Sequence, residues 1–167
     1  WNTGHLPTLQ NYLQSKKTKA FIILKNGKIA VEWYYGSFNS DSLWYWASAG
    51  KTITAFLVGK AQEEGYLKIS DVSSKYLGKG WTTSTEAKED LITIRHQLTM
   101  TSGLNDGLAD DDCTLSNCLQ YKADAGTRWA YHNAVYTKLR DVIESATSIN
   151  ENLYTYQKLT SKIGMGG

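Results

Sequence analysis

The chain has 167 residues, 41% of them hydrophobic, which is enough for one domain with a real core and leaves no sign of intrinsic disorder. Its net charge of +2, from 18 basic and 16 acidic residues without a basic cluster, argues against a nucleic-acid groove or a polybasic membrane patch and for small or neutral partners. The longest apolar run, Ala20 to Leu24, is far too short for a transmembrane helix, no signal peptide is recognisable, and the start at Trp1 rather than Met is expected to reflect removal of the original start, by processing or by the choice of expressed segment.

In chain order, Leu6 to Gln14 predicts a short amphipathic helix with Pro7 in its first turn. Lys19–Leu24 and Lys28–Tyr35 are rich in Ile, Val, Phe, Trp and Tyr, and Asn26-Gly27 between them predicts a hairpin through a type I′ turn. The first strand is apolar without alternation, so it is expected to be covered on both faces. Two strands alone are marginal, so more sheet must come from somewhere.

After the polar loop Gly36 to Ser42 comes LWYWASAGKTITAFLVGKAQEEG, Leu43 to Gly65. From Lys51 onward Ile53, Phe56, Leu57 and Ala61 recur at helical spacing, and Gly65 is the left-handed stop. Ser48 is placed in the first turn, where unpaired N–H groups and the positive end of the dipole favour a negative oxygen. Lys51, three residues on, shares its face, which is the geometry of a nucleophile beside its base. Lysine is a base only when neutral, so its reference pKa of about 10.4 has to be lowered, and Trp44, Tyr45 and Trp46 are candidates for a dry wall. A serine cap followed by a solvated lysine is the plain alternative.

Beyond Gly65, the anchors Leu67, Ile69, Val72, Tyr76 and Leu77 are expected to be buried, with Asp71 capping a short helix. Thr93 is expected to cap a helix from Ile94 to Met100, ended by Gly103. Asn105 to Asn117 reads as an acidic surface loop carrying Cys113; a short helix is possible from Leu115 to Lys122, which includes Cys118. Four residues between the cysteines permit a small disulfide, which fits an exported protein; metal binding competes, but no histidine is near enough in sequence to complete a zinc site. Asn133 to Ala146 and Asn150 to Ile163 are helical patterns, and no confident strand follows residue 66. Ahead of the first of these helices, Tyr131 and Asn133 flank His132: a tyrosine near Lys51 can shuttle a proton, and the asparagine can hold the lysine and a substrate amide. A half-buried packing role is the plain reading of Tyr131, one of 11 tyrosines.

Three segments in one order, Ser48-Ala49-Gly50-Lys51, Ile92 through Thr101-Ser102-Gly103-Leu104, and Gly126 through Tyr131-His132-Asn133, resemble the serine β-lactamase-like hydrolases. That group includes class C β-lactamases, D-alanyl-D-alanine carboxypeptidases and related esterases and amide hydrolases. The resemblance covers nearly the whole chain and implies an α+β, β-lactamase/transpeptidase-like fold of an N-terminal helix, a β-hairpin and a helical region. Residues 1–65 belong to its α/β subdomain with the nucleophile helix, and 66–167 to its helical subdomain. It implies Ser48 as nucleophile, Lys51 and Tyr131 as proton acceptors, Asn133 as orienter of Lys51 and of the acyl substituent, and no cofactor or metal.

The family's third motif, a Lys or His one residue before Gly on a later strand, is missing, since the chain closes on Gly166-Gly167. A separate C-terminal fragment or chain is therefore expected to complete the sheet and the oxyanion hole. His132 stands where the family commonly has a small residue, and is expected to point away from Ser48 as a spacer. His5 and His96 carry no partner pattern. An α/β-hydrolase is excluded because Trp46 stands where that fold needs glycine. The reading is a serine hydrolase acting on a small ester or amide (β-lactam, D-Ala peptide, linear amide or carboxylic ester), periplasmic or extracellular; the alternative is an acylated sensor or a scaffold of the same fold. Trp46, with Trp44, Tyr45 and Trp129, could line an acyl pocket or simply be core.

Overall fold

The computed structural model describes residues 2–165. Trp1 and the closing Gly166-Gly167 lie outside the described residues. The chain gathers into two compact units, the first ending at Tyr45 and the second beginning at Trp46.

The first unit holds α1 (Leu6–Ser15), with Pro7 in its opening turn, and the antiparallel pair β1 (Ala20–Lys25) and β2 (Lys28–Tyr34). Asn26 and Gly27 both take positive φ, 51° and 73°, as a type I′ turn requires. A bulge at Ile23/Leu24 shifts the register, and Phe21 stacks on Trp33 at 5.9 Å. The expected double-sided cover of β1 is not met: Ile22 and Leu24 are 50% and 64% exposed. Among the described residues the sheet has only these two strands, and a two-stranded ribbon cannot shield both its faces.

The second unit opens with a 3₁₀ turn, Ala47–Gly50, which runs directly into α2 (Lys51–Glu63). Gly65 ends α2 at φ 81°: its N–H bonds Gln62 O and the next N–H, of Tyr66, bonds Ala61 O, the paired bonds of a Schellman cap. The buried face of α2 is Leu57, Val58 and Ala61; Phe56, expected inside, is exposed, because the face is turned toward α6 (Asn133–Thr147). Between them lie α3 (Ser74–Leu77), α4 (Glu86–Glu89) and α5 (Ile94–Leu98).

Thr93 caps α5 in a reciprocal box with His96, which gives that histidine a structural partner. The helix stops at Leu98, two residues short of the expected end, where Met100 takes φ 58°. Asp71 is not a cap: its carboxylate instead gathers the Lys68 N–H, Lys75 Nζ and the Tyr76 hydroxyl. Val72 lies at the surface and pairs its backbone with Thr93 in an isolated bridge. The helix expected from Leu115 shrinks to a 3₁₀ turn, Ser116–Cys118, because the chain then extends to bridge Tyr121 with Leu104. The last helical stretch is broken into α7 (Glu151–Thr155), a π turn (Tyr156–Thr160) and α8 (Ser161–Ile163).

α6 is the hub, packed against α2, α3, α5 and α7. Its Tyr136, Leu139, Val142 and Ile143 join Leu57, Val58, Ala61, Leu67, Ile94 and Tyr154 in one core cluster. Ala134 and Val135 join Trp81, Ile92, Leu104 and Leu119 in a second. Buried Gln97 ties the two together, accepting from Ser73 Oγ at 2.9 Å and donating to Val135 O at 3.0 Å. No helix among the described residues is long and apolar enough to cross a membrane.

Candidate active site

Ser48 sits on the 3₁₀ turn, held open to solvent at the N-terminal end of α2. The residue before it, Ala47, has φ 46°, a left-handed conformation that costs a non-glycine residue about 1–2 kcal/mol and is held by the surrounding structure. One turn on, Lys51 Nζ reaches Ser48 Oγ at 3.2 Å, as the Ser-x-x-Lys spacing predicts.

Tyr131 arrives from the far side of the sequence and donates its hydroxyl to Ser48 Oγ at 2.6 Å. Its approach is fixed by main-chain bonds between residues 100–103 and 122–130. Gly126 N–H bonds Thr101 O at 2.8 Å, Ala130 N–H bonds Met100 O at 2.9 Å, and Gly103 O accepts from both Lys122 and Ala123. Gly103 is required here: at φ 78°, a Cβ would stand 2.1 Å from Ala123 O. The Thr101-Ser102-Gly103 stretch therefore acts at a distance, by letting the tyrosine segment lie close.

Asn133 opens α6 and accepts from Lys51 Nζ at 2.8 Å through Oδ1. Tyr136, one turn along α6, donates to Lys51 O at 2.9 Å, so both backbone and side chain of Lys51 are held by α6. The Lys51 amine lies 5.1 Å from the Tyr131 ring and 5.8 Å from the Tyr136 ring, against the negative faces of both. The bond to Ser48 and the neighbouring Lys51 hold the Tyr131 phenol below its usual pKa, against the opposing effects of burial and of Asp111.

The structure thus brings Ser48, Lys51, Tyr131 and Asn133 together. Two residues escaped the sequence reading. Tyr136 is legible only in retrospect as the helical neighbour of Asn133, and Asp111, whose Oδ2 accepts from Asn133 Nδ2 at 2.9 Å, is one of three consecutive aspartates with no spacing to mark it.

The aromatic residues expected as a dry wall or as core are all exposed here. Trp46 is 51% exposed and Trp129 lies at the surface, while Trp44 belongs to the first unit, edge-on to Phe38. His132 is 6% exposed, with both ring nitrogens unbonded, and lines a small cavity of about 40 Å³ with Asn105, Asp106, Leu108, Asp110, Asp111 and Tyr131. Burial pushes its pKa down; Asp106 and the Asn105 backbone, the latter near it without meeting hydrogen-bond geometry, pull the other way. Cys113 and Cys118 are joined in a disulfide. No group of three or more His, Cys, Asp or Glu among the described residues is arranged to hold a metal ion.

The family model named Beta-lactamase matches residues 9–166. The chain belongs to the Beta-lactamase family. Solved structures agree on the fold of this Beta-lactamase-family chain. A predicted beta-lactamase from Bacteroides dorei DSM 17855 superposes with a TM-score of 0.81 at 23% identity, covering 99% of this chain and 52% of the other. A penicillin-binding protein homologue from Pyrococcus abyssi, octameric in its structure, gives 0.78 at 21%, covering 99% and 44%. A beta-lactamase/D-alanine carboxypeptidase from Yersinia pestis gives 0.68 at 20%, covering 87% and 48%. The family chain described here therefore spans about half the length of these relatives, and its fold is the corresponding part of a β-lactamase/transpeptidase-like domain. No curated protein matches the chain.

Proposed function

We propose that the complete protein is a serine hydrolase that cleaves an ester or amide through an acyl-enzyme on Ser48. The observation that carries this reading is the double hydrogen bond on one hydroxyl, from Tyr131 OH at 2.6 Å and from Lys51 Nζ at 3.2 Å. Ser48 Oγ attacks the carbonyl carbon as its proton passes to the Tyr131 phenolate or the Lys51 amine. The carbonyl oxygen takes the negative charge, stabilised in part by the Ser48 N–H, a type of contact worth about 3 kcal/mol. Collapse breaks the ester or amide bond, the leaving alcohol or amine takes back the proton, and water releases the acyl group.

Asn133 orients Lys51 and the acyl substituent, and Trp46, exposed two residues before Ser48, is the aromatic side chain that would meet the acyl group once the rest of the domain is present. The half-length match supports completion of the sheet, and of the oxyanion hole, by polypeptide beyond these residues, with 1–65 in the α/β subdomain and 66–167 as the helical subdomain. The disulfide supports a periplasmic or extracellular site of action. The Yersinia relative's name, a carboxypeptidase as well as a β-lactamase, supports amides among the substrates.

Turnover of nitrocefin, p-nitrophenyl esters and D-Ala-D-Ala peptides by the complete protein tests this. Hydrolysis of at least one class, abolished in Ser48→Ala, is expected. A stable Ser48 adduct without turnover would make the protein an acylated sensor instead.

A further inference from the structure

Asn133 has two chemically different ends, and only one of them suits Lys51. Oδ1 accepts from Lys51 Nζ at 2.8 Å while Nδ2 donates to Asp111 Oδ2 at 2.9 Å. An ionised carboxylate only accepts, so it can face only the NH₂ end of the amide, which leaves the carbonyl end for the lysine. The main chain repeats the attachment: Asp111 O accepts from Ala134 N–H at 3.0 Å, satisfying one of the unpaired donors in the first turn of α6.

The loop that carries Asp111 is fastened on both sides. Upstream, Asp106 pairs with Lys122 at 3.0 Å and Arg128 at 2.7 Å; downstream, Cys113 is bonded to Cys118.

We infer that Asp111 is a positioning residue of the serine site: it sets the orientation of the Asn133 amide and, through it, the place of the Lys51 amine beside Ser48. The inference rests on the hydrolase reading above. Without Asp111 the Asn133 amide is free to rotate and turn its NH₂ toward another acceptor, and Lys51 loses the carbonyl that anchors it. The same carboxylate also opposes ionisation of Tyr131, against the bond to Ser48 and Lys51 on α2, which favour it; Tyr136 on α6, whose pKa burial raises, also faces the lysine. Orientation and charge are therefore separable. Asp111→Asn keeps an acceptor for Asn133 and removes the charge, whereas Asp111→Ala removes both.

The test is the rate at which a fluorophosphonate labels the complete protein, followed by intact mass from pH 6 to 10, with melting curves as a control for folding. Wild type acquires an adduct on Ser48. Asp111→Ala slows labelling about tenfold or more. Asp111→Asn keeps most of the plateau rate and moves the rising limb to lower pH, because a negative charge next to the phenol is gone. In an Asn133→Ala background, Asp111→Ala has little further effect, since its route to Lys51 is already cut.

Labelling of Asp111→Ala at the wild-type rate, or an equal slowing with and without Asn133, overturns the inference and leaves the hydrolase reading standing. A wild-type protein that carries no adduct on Ser48 overturns that reading, and the inference with it.

Discussion

A tyrosine hydroxyl 2.6 Å from a serine oxygen and beside a lysine amine is a proton path whose direction depends on pH. If Tyr131 takes the Ser48 proton as the phenolate, as proposed, its pKa below the ordinary phenol value means that acylation rises with pH and levels off below about pH 10. Tyr131→Phe removes the acceptor and should slow acylation about 100-fold with the limb lost, as measured by labelling rate against pH. Away from the site, Asp71 is held at a pKa of about 2 by its bonds to Lys75 and Tyr76. Because the folded value lies below the unfolded one, its contribution is present above about pH 4 and is lost as pH falls toward 2. Asp71→Asn should therefore destabilise the protein at pH 7 by on the order of 1 kcal/mol, discounted for solvent screening, read as a lower urea midpoint, with little effect near pH 2. Ser48 with Lys51, and Tyr131 with Asn133, were legible as two local pairs at short spacing, and the resemblance of the three ordered segments to the serine β-lactamase-like hydrolases joined the pairs across some eighty residues. Asp111 was not, since only the folded loop brings it to Asn133 from 22 residues away.

α6 does at the level of elements what Asn133 does among side chains: it supplies one anchor for the Lys51 amine, one clamp on the Lys51 backbone, and residues to both core clusters. Leu139, fully buried at its centre, should cost about 2–5 kcal/mol when cut to alanine, seen as a lower urea midpoint with the slope unchanged. Gly103→Ala should be worse than a left-handed alanine alone, about 1–2 kcal/mol, because the Cβ also meets Ala123 O at 2.1 Å and pushes the Tyr131 segment outward. Loss of labelling in a protein that still melts cooperatively would mark that displacement. The hairpin, α2 and α6 were readable because their patterns are long and their stop signals, Asn26-Gly27 and Gly65, have single conformational meanings. α3 was expected as a short helix after Asp71, though not its start at Ser74; the 3₁₀ turn under Ser48, α4 and the π turn were not readable, since each is too short for its periodicity to show and is set by tertiary contact.

The whole molecule carries an unfinished sheet: β1 and β2 expose Ile22, Leu24 and Ile29, and the solved relatives are about twice as long. The sequence already showed strand material only near its start, which is why only two strands were expected from these 167 residues. Residues 1–167 expressed alone should bind a hydrophobic dye and melt without a sharp transition, and a monomer with one cooperative melt would speak against a missing part of the sheet.

The most direct measurement on the site itself is peptide mapping of the complete protein after reaction with a fluorophosphonate. The adduct should fall on the peptide containing Ser48, vanish in Ser48→Ala and form at least about 100-fold more slowly in Lys51→Ala and Tyr131→Phe. An adduct on a different serine, or undiminished labelling of Ser48 in both of those variants, would contradict a nucleophile activated by Lys51 and Tyr131.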